Sequence, residues 1–240
     1  VAVPPDLPRR LLAEGIGTFC LVFAGTGAVV VDAVSGGTIG HGGVAAAFGL
    51  VVAVVIFATG HISGAHLNPA VTLGFAAGRH FPVREVGPYV AAQVTGALLA
   101  SLALRSLFDT AGGLGATHPA HVGAVQAAVL EAGLTAILMM VILAVATDTR
   151  AVGSLAAIAI GATIALEALV LGPITGASMN PARSLAPAVA AADWSDLWIY
   201  LAGPLAGALV GAGGYEAIRG GRPSARSEAQ LPVAVEERVP

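Results

Sequence analysis

The stretches HISGAHLNPAV, from His61 to Val71, and PITGASMNPAR, from Pro173 to Arg183, decide how the rest of the chain reads. Each closes an apolar run with a Gly-containing loop and continues Asn-Pro-Ala. An Asn side chain caps free backbone N–H groups at a helix start. Pro suits the first helical position because its missing N–H would be unpaired there. Both copies therefore predict a helix start. Both also lie inside long apolar sequence, where starting a new helix looks wasteful.

Composition supplies the setting. The chain has 240 residues, 56% of them hydrophobic and only 10% charged, with a mean hydropathy of +0.85. Soluble domains are about a quarter charged. Too few charges remain here for a polar shell, so the chain reads as an integral membrane protein. A net charge of -3 offers no basic excess for nucleic acid. The single cysteine, Cys20, excludes an intrachain disulfide. The Pro-rich start VAVPPDLPRR, followed by an apolar run long enough to stay in a membrane, gives no sign of a cleavable signal peptide. No nucleophile–base pair, phosphate loop or metal cluster stands out. The expectation is therefore no enzyme, no cofactor and no metal.

Six runs approach the ~20 residues that cross a ~30 Å hydrocarbon layer. They are Leu11–Val34, Gly42–Thr59, Val86–Leu104, Val122–Ala146, Gly153–Leu171 and Leu197–Ile218. Runs this long predict helices. Ala70–Gly78 and Ala182–Ala192, after the Asn-Pro-Ala copies, are too short to span and read as re-entrant half-helices. Drawn this way, Arg9, Arg10, Arg79, Arg84, Arg150, Arg219, Arg222, Arg226 and Arg238 share one side. Asp32, Asp109, Asp193 and Asp196 share the other, and Arg105 is an exception. The positive-inside rule then puts both termini in the cytoplasm.

The halves resemble each other. Asn180 follows Asn68 by 112 residues (180 − 68). Glu14-Gly-Ile-Gly-Thr18 matches Glu131-Ala-Gly-Leu-Thr135, and Tyr89 and Gly96 match Tyr200 and Gly207. Three spans per half make the duplication an inverted repeat, with the half-helix N-termini facing near the midplane. Expected units are a tail over 1–8, a channel domain over 9–219 with halves at about 9–106 and 120–219, and a flexible cytoplasmic tail over 220–240.

The doubled Asn-Pro-Ala box, with Arg183 and Ser184 after the second copy and Glu14 and Glu131 in the first and fourth spans, resembles the aquaporin (major intrinsic protein) family. The wording GPITGASMNPARSL is most similar to nodulin-type intrinsic proteins and their bacterial relatives. The resemblance implies an all-α membrane fold of six helices plus two half-helices. It also implies a homotetramer with one pore per subunit in a plasma (inner) membrane, and passive conduction of water and small uncharged solutes such as glycerol and neutral metalloid acids. The alternatives are a strictly water-selective channel and a secondary transporter of a small neutral solute.

Residue by residue, the resemblance assigns Asn68, Pro69, Ala70, Asn180, Pro181 and Ala182 to the midplane. Two helix ends of roughly +0.5 charge each would repel cations there, and the Asn amides would donate into the lumen. It assigns the carbonyls of Gly64, Ala65, His66, Gly176, Ala177 and Ser178 to the pore wall. Phe48, Ala168, Ala177 and Arg183 are placed at an outer selectivity filter. Ala168 departs from water-selective members, which carry histidine there, and Ser184 stands where glycerol channels typically carry Asp. Glu14 and Glu131 are expected to brace the loops by accepting backbone N–H groups. Glu167 receives no role: it faces a neighbouring subunit, a loop or the outer vestibule.

Overall fold

The computed structural model describes residues 5–148, 151 and 153–220. Arg150, Arg222, Arg226 and Arg238, the first four residues of the expected N-terminal tail and nearly all of the expected C-terminal tail lie outside the described residues.

Eight α-helices follow one another: α1 (Leu7–Val34), α2 (Gly40–Ser63), α3 (Pro69–Ala77), α4 (Val83–Phe108), α5 (Ala124–Thr147), α6 (Ala156–Thr175), α7 (Pro181–Ala191) and α8 (Leu197–Ile218). Six of them are long and apolar enough to cross a membrane; α3 and α7 are the short pair. Several spans are longer than their apolar runs, for identifiable reasons. At α1, Asp6 caps the helix by accepting from the Arg9 N–H (3.3 Å), with Pro8 in the first turn. The start of α2 is capped from a distance, because Asp32 Oδ1 accepts from the N–H groups of Ile39 (2.9 Å) and Gly40 (2.7 Å). At the far end of α4, the Arg105 guanidinium donates to the Ala190 carbonyl in the last turn of α7. That contact lets a charged residue sit inside the helical segment, and it accounts for the one arginine that departs from the charge asymmetry.

Small residues set the helix crossings. A Cβ on Gly96 of α4 would overlap the Gly15 backbone of α1, and one on Gly207 of α8 would overlap the Ala132 carbonyl of α5. Gly49 of α2 and Gly161 of α6 press against each other's carbonyls in the same way. Contact this close replaces the hydrophobic drive that apolar lipid does not provide between helices. The pairs α1–α4 and α5–α8 are equivalent in the two halves, and α2 with α6 joins them. The outward faces carry bulky apolar side chains such as Leu50, Val54, Leu166 and Val210, all more than half exposed.

Candidate functional site

The loops that precede α3 and α7 have the same backbone. Gly64 and Gly176 end α2 and α6 in the left-handed region (φ 88° and 84°). Ala65, Leu67, Ala177 and Met179 are also left-handed, with φ of 47°, 54°, 41° and 54°. Non-glycine residues there cost roughly 1–3 kcal/mol each and persist only where their surroundings over-determine them.

Two buried carboxylates provide that constraint. Glu14 Oε1 accepts from Ser63 Oγ (2.7 Å) and the His66 N–H (2.9 Å). Its Oε2 accepts from the Leu67 N–H (2.8 Å) and Gln93 Nε2 (2.8 Å). Glu131 repeats the pattern, accepting from Thr175 Oγ1 (2.7 Å) and from the N–H groups of Ser178 (3.0 Å) and Met179 (2.8 Å). Tyr89 and Tyr200 then donate to the carbonyls of Ser63 and Thr175 (2.9 and 2.6 Å). The acids accept hydrogen bonds on both oxygens, which is what makes a buried carboxylate tolerable.

The two half-helices meet. Asn68 Oδ1 caps α3 through the Ala70 N–H (2.8 Å), while its Nδ2 donates to the Met179 carbonyl of the other half (2.7 Å). Asn180 Oδ1 caps α7 through Ala182 and Arg183 (3.0 and 3.3 Å), and its Nδ2 donates to the Leu67 carbonyl (2.9 Å). This refines the sequence expectation. One amide hydrogen of each Asn is spent across the pseudo-symmetric junction, so one per residue is left for the lumen. Pro69 and Pro181 take the first helical positions, and Ala70 and Ala182 are fully buried behind them.

A cavity of about 750 Å³, open space at its mouth included, runs past both Asn side chains. Its wall includes Gly64, Ala65, His66, Ala177 and Ser178 among the expected backbone positions, and Phe48, Ala177 and Arg183 among the expected constriction. Arg183 is buried, donates to the Gly115 carbonyl (2.7 Å) and lies 4.8 Å from the Phe48 ring centroid. Its charge is thus met by a carbonyl and an aromatic face.

Two expected positions differ. Gly176 is not among the residues along the cavity wall, and a Cβ on it would meet Thr117 Cγ2 at 3.0 Å. Ala168 is buried but does not line it either; α6 presents Ile160 and Ile164 instead. Counting back from Asn180 fixes the height of Ala168, not its direction around the helix.

Sequence reading also missed several polar groups. Ser63 and Thr175 stand five residues before each Asn, a spacing that the repeat would have revealed. Thr72 Oγ1 bridges His66 Nδ1 (3.2 Å) and Gln93 Nε2 (2.9 Å). Its counterpart Ser184 bridges Ser178 (2.6 Å) and Thr117 (2.8 Å). Gln93 and Thr117 have no repeat partner and left no signal. His66 itself stacks on Phe75 (4.6 Å between centroids) and meets Phe81 edge-on.

Six apolar helices, two opposed half-helices and a cavity between them define an integral membrane protein built as an inverted repeat. The profile of the family described as Major intrinsic protein matches residues 3–215, and the chain belongs to that family. It is 51% identical over 214 residues to "Aquaporin NIP1-1" of Oryza sativa subsp. japonica, covering 88% of this chain and 74% of that protein. To "Aquaporin NIP6-1" of Arabidopsis thaliana it is 50% identical over 218 residues, 90% of this chain and 71% of that one. Among solved structures, the aquaglyceroporin from Plasmodium falciparum superposes with a TM-score of 0.79 at 25% identity, over 89% of this chain and 97% of that chain.

Proposed function

We propose that this chain is a passive transmembrane channel for water and small uncharged solutes, glycerol among them, and that it rejects protons and other ions. The observation that carries the reading is the junction of α3 and α7 at the cavity wall, where Asn68 and Asn180 each bond the opposite half. Two partial positive helix ends there oppose any cation. A passing water accepts from the remaining Asn hydrogens and is oriented by them, which breaks a proton-conducting chain. Backbone carbonyls before each box supply acceptors, and irregular backbone at this depth is tolerable where it lines water. The named relatives, an aquaporin and an aquaglyceroporin, support water and glycerol as cargo.

In this reading Phe48, Ala177 and Arg183 form the outer constriction, with Glu14 and Glu131 as loop braces. The conducting unit is 9–219, both termini are cytoplasmic, and four copies assemble in a plasma membrane with one pore each. The test is stopped-flow light scattering on proteoliposomes. Water and glycerol should equilibrate faster than in empty vesicles and without dependence on a proton gradient. Uptake that saturates and requires a proton gradient would instead mean a transporter. Water flux without glycerol flux would mean a strictly water-selective channel.

A further inference from the structure

Arg183 has no counterpart in the first half of the repeat, where Val71 follows Ala70. The bracing of the half-helices departs from symmetry at the same place. Thr72, in the first turns of α3, is held by Gln93 of α4. Ser184, its equivalent in α7, is held by Thr117 of the segment 109–123 between α4 and α5. Gln93 also serves Glu14 and so belongs to the first loop brace. Thr117 belongs to neither glutamate brace and does not line the cavity.

Counting protons gives the link a direction. A hydroxyl has one proton to donate. Ser178 donates its own to the Asn180 carbonyl (3.0 Å). Ser184 therefore donates to Ser178 (2.6 Å), and Thr117 donates to Ser184 (2.8 Å). All three side chains are buried. The bonds run one way, from the segment 109–123 into the loop that carries Asn180. Just before Thr117 in the chain stands Gly115, whose carbonyl accepts from Arg183 (2.7 Å). The local backbone does not hold that carbonyl by itself. Gly112, Gly113 and Gly115 lie at φ 57°, 57° and 70°, and glycine is the residue least committed to one conformation. On one side the segment is pinned by Leu114, fully buried against Val30, Leu104 and Ala190. On the other side it is pinned by Thr117, and the Gly115 carbonyl lies between the two.

We infer that Thr117 is a positioning residue for Arg183: its hydroxyl, bonded to Ser184, fixes the Gly115 carbonyl and through it the guanidinium at the outer constriction. The inference rests on the channel reading above, in which Arg183 bounds that constriction. Ser184 adjoins Arg183 in α7. The Thr117 link therefore ties the helical turn that carries the guanidinium to the segment that receives it. Among the described residues, the guanidinium meets the Gly115 carbonyl and the Phe48 ring (4.8 Å), and both hold it against the wall. Without the link, donor and acceptor move independently, and the guanidinium leans into the passage on its long side chain. A narrowed passage hinders glycerol more than it hinders water.

The experiment takes two readings on wild type, Thr117→Val, Thr117→Ser, Ser184→Ala and the double variant Thr117→Val with Ser184→Ala, all in proteoliposomes. Valine keeps the shape of threonine and removes its hydroxyl; serine keeps the hydroxyl. The first reading is solid-state NMR of isotope-labelled arginine, with Arg183 assigned by the signals that Arg183→Lys removes. A guanidinium held by a carbonyl shows separate signals for its terminal nitrogens, and a released one rotates and merges them. Wild type and Thr117→Ser should show separate signals, and Thr117→Val and Ser184→Ala merged ones. The second reading is water and glycerol flux. The glycerol-to-water permeability ratio should fall about fivefold in Thr117→Val, the equivalent of about one hydrogen bond. The double variant should fall no further than either single one, because both break the same link. Signals already merged in wild type, or still separate in Thr117→Val, overturn the inference whatever the fluxes do. So does a ratio unchanged in Thr117→Val, a parallel loss of both fluxes, a Thr117→Ser protein as altered as Thr117→Val, or a double variant that loses the sum of the two. If wild-type vesicles pass no glycerol, the Arg183 signals decide the inference alone; if they pass no water either, the channel reading is refuted and those signals still decide.

Discussion

Replacing Glu14 by alanine should unmake the first pore loop. The carboxylate serves four donors, two of them the backbone N–H groups of His66 and Leu67. Gln93 also donates to Thr72 Oγ1, whereas the N–H groups of His66 and Leu67 have no other acceptor among the described residues. An orphaned buried N–H costs about 1–3 kcal/mol, so the loss from these two alone is about 2–6 kcal/mol. That is a large share of the roughly 5–15 kcal/mol by which a typical protein is stable. Glu14→Gln retains one acceptor oxygen and turns an NH₂ toward the other pair of donors. It orphans one backbone N–H, so about half the alanine loss is expected. Glu131→Ala orphans the N–H groups of Ser178 and Met179 and should cost about as much as Glu14→Ala, less the bond to Gln93. The assay is the midpoint of heat-induced loss of the monodisperse peak in detergent, read beside water permeability after reconstitution. A Glu14→Ala protein with wild-type midpoint and wild-type permeability would refute the counting. So would alanine and glutamine variants that are equally impaired.

Gly207→Ala places a methyl group on the Ala132 carbonyl and should cost about 1–3 kcal/mol in the same melt, whereas Gly213→Ala, with open space beside it, should lose nothing. Asn180→Ala removes both the cap of α7 and the bond to Leu67; the cap alone is worth about 1 kcal/mol, and a proton leak measured with an internal pH dye should rise. On the loop between α7 and α8, the Asp193 carboxyl is held below its ordinary range by the Ser195 hydroxyl and N–H, with the nearby His118 adding to this. A lowered acid stabilises the folded loop above its unfolded value and loses that contribution as pH falls through the folded one. The protection factors over 193–196, which are intrinsic exchange rates divided by the observed rates at the same pH, should therefore be flat near neutrality and fall only in strongly acidic buffer, and Asp193→Asn should abolish that dependence.

Much of the fold is legible in the sequence because length, apolarity and the Asn-Pro signal are local properties. The bounds of α8 follow from its apolar run, Leu197 to Ile218. The first four residues of α1 do not, because Arg9 and Arg10 hide a helix start that Asp6 and Pro8 announce. The same holds for α2, whose cap comes from Asp32, eight residues before Gly40. In the candidate site, Asn68, Asn180, Arg183 and the two braced loops follow from the doubling. What did not follow was direction: which side of α6 faces the cavity, and that each Asn spends a hydrogen on the opposite half. Those facts depend on how helices rotate against one another, and a single sequence carries no record of that rotation.

The left-handed turns at Ala65, Leu67, Ala177 and Met179 bring the main chain of both loops to the cavity wall. A track laid in peptide groups is insensitive to most mutations, since substitution alters what projects from the chain and leaves its carbonyls in place. In the channel reading proposed above, variation at Phe48 or Ile164 of the wall can then change the cargo, while the means of carrying it stays the same.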